Sequence, residues 1–192
     1  MNTTLRQGVV ALRFLVVMTL VLGVVYPVLM WGVGRVVPGR ADGSFVTNSS
    51  GTVVGSSLIG QTFDGATWFH PRPSAAGKGY DALSSSGTNY AQSNPTLVAD
   101  IGKRQADITA TDGVATSAIP PDAVTSSGSG LDPDISPDYA LLQAARVAKA
   151  RGLDPAKVIA LVNAHITGRI LGFIGEPRVN VLELNLALEQ MK

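Results

Sequence analysis

The stretch "FLVVMTLVLGVVYPVLMWGV" at residues 14–33 decides how this chain is organised, because it holds 20 consecutive residues without a charged side chain. At a rise of about 1.5 Å per residue, a helix of this length crosses the hydrocarbon core of a bilayer, which is about 30 Å thick. Arg6 and Arg13 precede the stretch, and Arg35 and Arg40 follow it. Basic residues on both sides suit the two membrane surfaces. The sequence therefore predicts a single transmembrane helix near the N-terminus.

A cleaved signal peptide is the alternative for this apolar stretch. Signal peptides have apolar segments of about 7–15 residues that end in a cleavage site of small residues. Here the apolar run is longer, and the following "WGVGRVVPGRADG" offers no good cleavage site, so an uncleaved anchor is favoured. Equal numbers of arginines flank the stretch, and charge bias alone does not fix its orientation. The free amino group slightly favours an N-terminus on the inside.

The anchor contains no ionisable side chain between residues 14 and 33. Such a helix cannot by itself form an ion pathway, which needs polar groups that line water or replace hydration. Thr19, Gly23 and Pro27 recur every four residues and predict a face on which a partner helix packs closely. The alternative is that they only reflect the general frequency of such residues in membrane helices.

Composition excludes several classes of function. The 192 residues carry a formal net charge of +1, so the chain lacks the basic excess of a nucleic-acid-binding protein. It has no cysteine, which excludes disulfides, thiol catalysis and cysteine zinc sites. The four flanking arginines are the only charged residues before residue 41. Residues 41–192 therefore hold 11 of the 15 Lys and Arg and all 14 Asp and Glu, a net charge of −3.

We divide the chain into an anchor at residues 1–40 and a domain at residues 41–192, which is long enough for one core. The first part of the domain, residues 41–93, is predicted to be strand-rich. The second part, residues 94–192, is predicted to be helix-rich. Strands followed by helices favour an α+β fold.

Short extended segments are predicted in the first part of the domain, at residues 44–47, 52–59 and 67–69. The segment "TVVGSSLIGQTF" is β-branched and weakly alternating, which is typical of a strand. Residues 68–95, "WFHPRPSAAGKGYDALSSSGTNYAQSNP", combine aromatic and charged residues with many turn formers. We expect an ordered docking surface there, because binding residues gather in loops held on a scaffold.

Helix starts in the second part are marked by a capping residue directly before a proline, at Asn94, Ser136 and Asp154. The cap satisfies a free backbone N–H, and proline fits the first helical position. A last helix is predicted after Asn180. Residues 109–121 lose periodicity and predict a loop or insertion.

Motifs for catalysis are weak or missing. The sequence contains no G-x-x-x-x-G-K-[ST] loop for phosphates and no G-x-S-x-G nucleophile elbow. His70 and His165 lie far apart and predict a loop contact and a hydrogen-bonded core residue rather than metal ligands. Asp132 and Asp134 suit either a catalytic or calcium-binding pair or, more commonly, a solvated turn.

Blocks along nearly the whole chain resemble the C subunit of the Kdp-type potassium-transporting ATPase, a bacterial membrane complex. The blocks are "VYPVL" at 25–29, "SSLIGQTFDGATWFHPRPSA" at 56–75, "SSGTNYAQSNP" at 85–95, "VTSSGSGLDPDISPDYA" at 124–140, "ARVAKARGL" at 145–153 and "GEPRVNVLELNLAL" at 175–188. Residues 109–118 show no clear family pattern.

The resemblance implies an accessory subunit of an ATP-driven, high-affinity potassium uptake complex, without a pore or hydrolytic site of its own. It implies a channel-like potassium-translocating subunit and a P-type ATPase subunit as partners, besides membrane lipid, and no nucleic acid. The resemblance further implies that the complex uses ATP and that this subunit acts as a catalytic chaperone that promotes this use. The implied fold is α+β: one N-terminal transmembrane helix followed by a small mixed α/β extracytoplasmic domain. The implied location is the bacterial inner membrane, with the N-terminus in the cytoplasm and the domain outside.

Residues expected to form or shape the partner surface come from both parts of the chain. They are Thr19, Gly23 and Pro27 in the helix, and Arg72, Asn89, Asn94, Asp132, Glu176, Arg178 and Asn180 in the domain. For several of these a local role is the alternative, as helix caps for Asn94 and Asn180 and as turn residues for Asn89 and Asp132. The alternative function is a membrane-anchored exported enzyme or cell-wall-binding domain that acts alone.

Overall fold

The computed structural model describes residues 2–191, and the chain divides between Ser44 and Phe45 into two compact units. The first unit holds a continuous helix, α1 (Thr3–Val36), whose most apolar part has none of its residues buried. In the part of the chain that the structure describes, it is the one helix long and apolar enough to cross a membrane. The predicted N-terminal span therefore exists as a helix that offers its apolar side chains outward on all sides.

Helix α1 changes its hydrogen bonding in the middle. It is α-helical over Thr3–Leu20, forms a π turn over Val21–Val25 and is α-helical again over Tyr26–Val36. Pro27 has no N–H to donate to the carbonyl of Gly23, and a π turn is one way to accommodate such an interruption. The π turn changes the rotation between Thr19 and Pro27 about the helix axis. The predicted face, which has one of its residues every four positions, therefore crosses a segment that is not regular α-helix.

The second unit begins with an antiparallel hairpin of β1 (Phe45–Thr47) and β2 (Val53–Ser56), preceded in the first unit by the short helix α2 (Pro38–Ala41). From Ser57 to Asn94 the chain forms turns and loops without an assigned helix or strand. The expectation of a strand-rich first part is therefore met only by this hairpin, and the predicted strand at residues 67–69 is wrong.

Side chains, rather than a neighbouring strand, satisfy the backbone of this loop. The amide of Asn185 accepts a hydrogen bond from the N–H of Phe69 (2.9 Å) and donates one to its carbonyl (2.9 Å). The amide of Gln143 does the same for His70, at 2.7 and 3.1 Å. Arg146 donates to the carbonyls of two residues further back in the loop. The segment runs through turns and a bend rather than a strand, and its hydrogen-bond partners come from helices.

Helices dominate the second part of the domain. They are α3 (Pro95–Asp112), a 3₁₀ turn (Thr116–Ala118), α4 (Pro121–Val124), α5 (Pro137–Arg151), α6 (Pro155–Ala164) and α7 (Val181–Glu189). The predicted loop at residues 109–121 is wrong at its start, because α3 continues to Asp112 before Gly113 ends it with a φ of 69°. The break in apolar periodicity reflects a helix end that makes polar contacts, such as the buried ion pair of Asp112 with Arg146, rather than a loop.

The predicted helix caps are confirmed. The side chains of Asn94, Ser136, Asp154 and Asn180 each accept a hydrogen bond from a backbone N–H in the first turn of the following helix. Three of these caps precede a proline at the first helical position, where its missing N–H costs nothing. These starts were readable because capping is a local interaction.

A small antiparallel sheet and three helices enclose the core. The sheet has the order β3 (Asp134–Ile135), β5 (Arg178–Asn180) and β4 (Ile166–Thr167). Its central residue Val179 is fully buried together with apolar residues of α5, α6 and α7 and with Phe69 of the loop. The fold is thus one apolar helix followed in the chain by a mixed helix and strand domain, as the sequence predicted.

Candidate functional site

A charged cleft of about 480 Å³ lies on the second unit, at the edge of the three-stranded sheet. Its walls carry four carboxylates and two guanidinium groups, with proline, isoleucine and serine between them. We call this surface the charged cleft; it is lined by Arg72, Pro121, Asp122, Asp132, Asp134, Ile135, Ser136, Glu176, Pro177 and Arg178. Four residues that the sequence pointed to, Arg72, Asp132, Glu176 and Arg178, therefore meet on one surface.

Arg72 and Asp132 form the ion pair that connects the long loop to the rest of the cleft. Nη1 of Arg72 lies 3.0 Å from Oδ2 of Asp132, and both side chains are half-buried. Oδ1 of Asp132 accepts the N–H of Asp134 at 3.0 Å, so this carboxylate also shapes its own turn. The hydroxyl of Tyr80 donates to the carbonyl of Arg72 and fixes the arginine from the loop side.

The Arg72 guanidinium retains hydrogen-bonding capacity. Its Nη2 donates a long bond of 3.4 Å to the carbonyl of Thr125, while its buried Nε has no partner among the described residues. A buried donor without a partner is costly in a folded protein. Arg72 is therefore positioned at the cleft with one donor unused.

Asp134 and Arg178 form a second ion pair across neighbouring strands. Oδ2 of Asp134 lies 2.9 Å from Nε of Arg178, and β3 pairs with β5 so that Asp134 faces Asn180. Burial raises the pKa of the Asp134 carboxyl above its ordinary value, while Arg178 acts in the opposite direction. Arg178 therefore offsets part of the cost of burying the ionised Asp134 carboxylate.

Asp122 is held at the start of helix α5. Its carboxylate accepts the N–H of Ser136 at 2.7 Å and the hydroxyl of Ser136 at 2.9 Å. Ser136 in turn accepts the N–H of Tyr139 as the helix cap. A negative charge at this position suits the positive end of the helix. Sequence reasoning did not single out Asp122, because it assigned Ser136 only the role of a helix cap and did not predict a contact between the two residues.

The remaining predicted residues lie elsewhere or have local roles. Asn180 adjoins the cleft, where it caps α7 and donates to the carbonyl of Ser57 at 2.9 Å. Asn94 caps α3, so its local alternative holds. Asn89 has a φ of 52° and donates to the carbonyl of Gly87 at 3.3 Å, and a partner role for it stays a prediction. Thr19, Gly23 and Pro27 lie in the other unit, and a packing role for them stays a prediction.

The aromatic part of the loop serves to fix its shape. The guanidinium of Arg151 lies 4.4 Å from the centroid of the Trp68 ring, a cation–π distance, and its Nε donates to the carbonyl of Thr67 at 2.7 Å. Arg146 is buried and forms an ion pair of 2.7 Å with Asp112. The expectation of an ordered rather than a disordered loop agrees with these contacts.

Turn formation explains the serine and glycine run at residues 127–130. Gly130 has a φ of 67°, and a Cβ there would lie 2.6 Å from both the backbone N of Ala76 and the backbone O of Ser86. Only glycine fits such a position. The two histidines also have local partners, since His70 contacts the carbonyl of Gly65 and His165 that of Leu161, both at 2.8 Å.

Chemically, the cleft can pair charges but is not arranged as a metal centre. Among residues 2–191, no group of three or more His, Asp or Glu side chains is placed to hold a metal ion. The serine nearest the carboxylates, Ser136, is committed to Asp122 and to its helix cap. With more acids than bases, the cleft is suited to a partner surface that carries positive charge.

The sequence pattern of the family described as "K+-transporting ATPase, c chain" matches residues 9–190. The chain belongs to this family, the KdpC family. A potassium-transporting ATPase KdpC subunit from Kineococcus radiotolerans is 53% identical over 188 residues, which cover 98% of this chain and 95% of the relative. A subunit of the same name from Gemmatimonas aurantiaca is 51% identical over 183 residues, covering 94% of this chain and 91% of the relative.

A more distant KdpC subunit, from Myxococcus xanthus, is 46% identical over 181 residues, covering 94% of this chain and 86% of its own length. The match runs through the helix, the long loop and the helical part alike. The family resemblance inferred from the sequence blocks is therefore confirmed, and the KdpC family accounts for both units of the chain.

Proposed function

We propose that this chain is an accessory subunit of an ATP-driven, high-affinity potassium uptake complex, which it helps to assemble and stabilise. Potassium is the ion that such a complex transports. In this proposal the chain supplies neither the pore nor the hydrolytic site. A channel-like subunit moves the ion, and a P-type ATPase subunit hydrolyses ATP.

The observation that carries the proposal is that α1 lacks the polar groups that an ion pathway needs. The helix is apolar on all sides and unburied, and residues 14–33 hold no ionisable group. One such helix offers nothing to replace the hydration shell of potassium. It offers instead a lipid-facing and helix-facing surface, in which Thr19, Gly23 and Pro27 are our candidates for contact with a partner helix.

We further propose that the chain is a single-pass protein of the bacterial inner membrane, with its N-terminus in the cytoplasm and its domain outside. The flanking arginines are balanced, so the support comes from the resemblance, and a long domain can be translocated regardless of its charge. In this arrangement the domain covers the side from which potassium enters. The charged cleft, with Arg72, Asp132, Glu176 and Arg178, is then free to meet an external partner surface.

The catalytic-chaperone role is proposed to act through conformation rather than through direct contact with ATP. A domain outside the membrane cannot reach cytoplasmic ATP, and the sequence has no phosphate loop. A subunit that binds one conformational state of the pump better than another shifts the pump toward that state. Couplings of this kind are typically about 1–3 kcal/mol, or about 5- to 150-fold in affinity.

Gentle detergent extraction of the full-length chain tests the central proposal. The tagged chain is purified from cells that carry the genes of its complex, and the assembly is sized and its components identified by peptide mass. We expect the chain to co-purify with a P-type ATPase subunit and a channel-like subunit. A chain that runs alone and shows a hydrolytic or cell-wall-binding activity of its own would instead support the alternative function.

The ATP role is tested separately on the purified complex. We expect the ATP concentration for half-maximal hydrolysis to rise when this chain is removed and to recover when it is added back. Equilibrium binding of labelled ATP to the isolated full-length chain in micelles should show no saturation at millimolar concentrations. Saturable binding would overturn the indirect mechanism.

A further inference from the structure

A hairpin next to the charged cleft ends in an exposed apolar tip. Strands β4 and β5 pair through Ile166 with Val179 and Thr167 with Arg178. Further out, Ile170 and Ile174 exchange backbone hydrogen bonds of 2.9 Å in both directions. Residues 171–173 close the hairpin, and we call residues 170–174, "ILGFI", the hairpin tip.

The tip carries its large side chains in the open. Leu171 is 80% exposed and Phe173 is 71% exposed, and Ile170 and Ile174 are exposed as well. Elsewhere in the second unit, many side chains of this kind build the core, although others, such as Phe45 and Leu83, are exposed. Single exposed apolar residues are ordinary, but a contiguous group of four marks a surface that another molecule covers.

The turn at the tip holds Leu171 in an unfavourable backbone conformation. Its φ is 54°, and Gly172 follows with 82°. For a residue with a Cβ this left-handed region is disfavoured, and such outliers gather where function requires a fixed shape. A glycine would fit here without strain. The leucine therefore gains nothing for folding that glycine would not supply, and it adds apolar surface at the outermost point.

The charges at the base of the tip are balanced by ion pairs. Arg169 and Glu176 form an ion pair of 2.5 Å across the hairpin, and Arg178 is paired with Asp134. Val179, in the strand below, is fully buried in the core. The hairpin tip is thus an uncharged apolar projection next to paired charges.

We propose that the hairpin tip inserts into an apolar pocket on a membrane subunit of the same ATPase, with the charged cleft beside it as the polar rim. This proposal rests on the proposed function, because it takes the partner from the complex. Glu176 and Arg178 belong both to the hairpin and to the lining of the cleft, so the two surfaces are continuous. An apolar centre with a charged surround is the usual composition of a protein interface.

Charge and shape disfavour anionic lipid and a second copy of this chain as the molecule that covers the hairpin tip. Residues 41–192 have a net charge of −3, and the arginines at the hairpin base are already paired. Anionic lipid attracts unpaired basic clusters, which this surface does not offer. A symmetric contact with a second copy needs a complementary pocket on the same surface. The concave surface beside the tip is instead the charged cleft.

Photo-crosslinking in the assembled complex tests the proposal. Leu171 is replaced by benzoylphenylalanine in the full-length chain, and the complex is irradiated in its native membrane. We expect an adduct with another subunit of the ATPase, identified by peptide mass. An adduct with lipid only, or with a second copy of the chain, would contradict the proposed occupant. The matched control places the same probe at Ile159, which is exposed on α6 and lies outside both the long loop and the cleft lining, and should give no such adduct.

Substitutions that keep the fold provide the second arm. Leu171→Gly removes both the strain and the side chain, and Ile170→Ser/Phe173→Ser removes the apolar surface. We expect at least a threefold loss of co-purified partner for each without a lower midpoint of thermal unfolding, whereas Ile159→Ser leaves both the recovery and the midpoint unchanged. Partner recovery equal to that of the unsubstituted chain would overturn the inference and leave the proposed function intact. Failure of the unsubstituted chain to co-purify would instead defeat the proposed function.

Discussion

Phe14 in the helix unit is 64% exposed, whereas Phe69 in the domain unit is fully buried. The difference holds for the units as a whole. No residue of α1 is buried, while the domain packs its buried apolar residues into one core that includes Phe69. Phe173, at 71% exposed, is one of the apolar residues of the domain that lie outside this core.

The comparison shows that exposed apolar surface has a different meaning in each unit. In the helix it is explained by the length and composition of a membrane span, because lipid covers such surface without specific contacts. In a domain that faces water it remains uncovered unless another molecule binds. The helix therefore indicates where the chain is anchored, and the hairpin tip indicates where its domain makes contact.

Removing the buried ring should have the largest effect. Phe69→Ala leaves a cavity in the core and should lower the free energy of unfolding by about 3–5 kcal/mol. Phe173→Ala, on the exposed tip, should change it by less than about 0.5 kcal/mol. Denaturant unfolding of the full-length chain in micelles, followed by tryptophan fluorescence, measures both. Equal effects of the two substitutions would remove the distinction between core and docking surface.

A charge in the middle of the span tests the other half of the comparison. Leu22→Arg should cost about 2.5–3.5 kcal/mol in membrane insertion, whereas Leu22→Val should be neutral. The measurement is the fraction of chain that resists alkaline extraction from membranes. If the arginine variant stays inserted to the same extent as the valine variant, residues 14–33 do not form a lipid-exposed helix.

Loss of a helix cap should have a smaller effect. Asn180→Ala removes the cap of α7 and the hydrogen bond to the carbonyl of Ser57, and should cost about 1–2 kcal/mol. Asn94→Ala removes only the exposed cap of α3 and should cost about 0.5–1 kcal/mol. Thermal unfolding compares the two. A larger loss for Asn94→Ala would mean that α7 does not depend on its contact with the loop.

Acidification should give the smallest effect, through His70. Burial lowers the pKa of this imidazole below its ordinary value of 6.5, with Arg146 acting in the same direction and the carbonyl of Gly65 opposing. Below pH 6.5 the unfolded chain therefore binds the proton more readily than the folded chain, and stability falls as the pH decreases. His70→Gln should flatten this slope between pH 7 and 5 in a series of thermal unfolding curves. An unchanged slope would place the pH dependence on other groups.

Local and periodic features of the fold were readable from the sequence. The span at residues 14–33 follows from hydropathy, and the caps at Ser136 and Asp154 follow from interactions within one turn. The charged residues Arg72 and Asp132 were also recognisable as candidates for a common surface. Their ion pair of 3.0 Å connects residues that are 60 positions apart, so its geometry required the fold.

The errors arose where distant side chains replace regular structure. Residues 67–69 looked like a strand because of their composition, but the partners of Phe69 and His70 are Asn185 and Gln143, which lie 116 and 73 positions away. The hairpin tip was missed because an apolar run such as "ILGFI" normally predicts burial. Its exposure follows from the turn at Leu171 and Gly172, which no periodicity reveals.

Potassium flux into sealed vesicles tests the account most directly. Vesicles that contain only the purified full-length chain are compared with vesicles that contain the whole complex, both loaded with a potassium-sensitive dye and supplied with ATP. The account predicts no flux above that of empty vesicles for the chain alone, and ATP-driven flux for the complex that declines when this chain is left out. Potassium movement through vesicles that hold the chain by itself would contradict it.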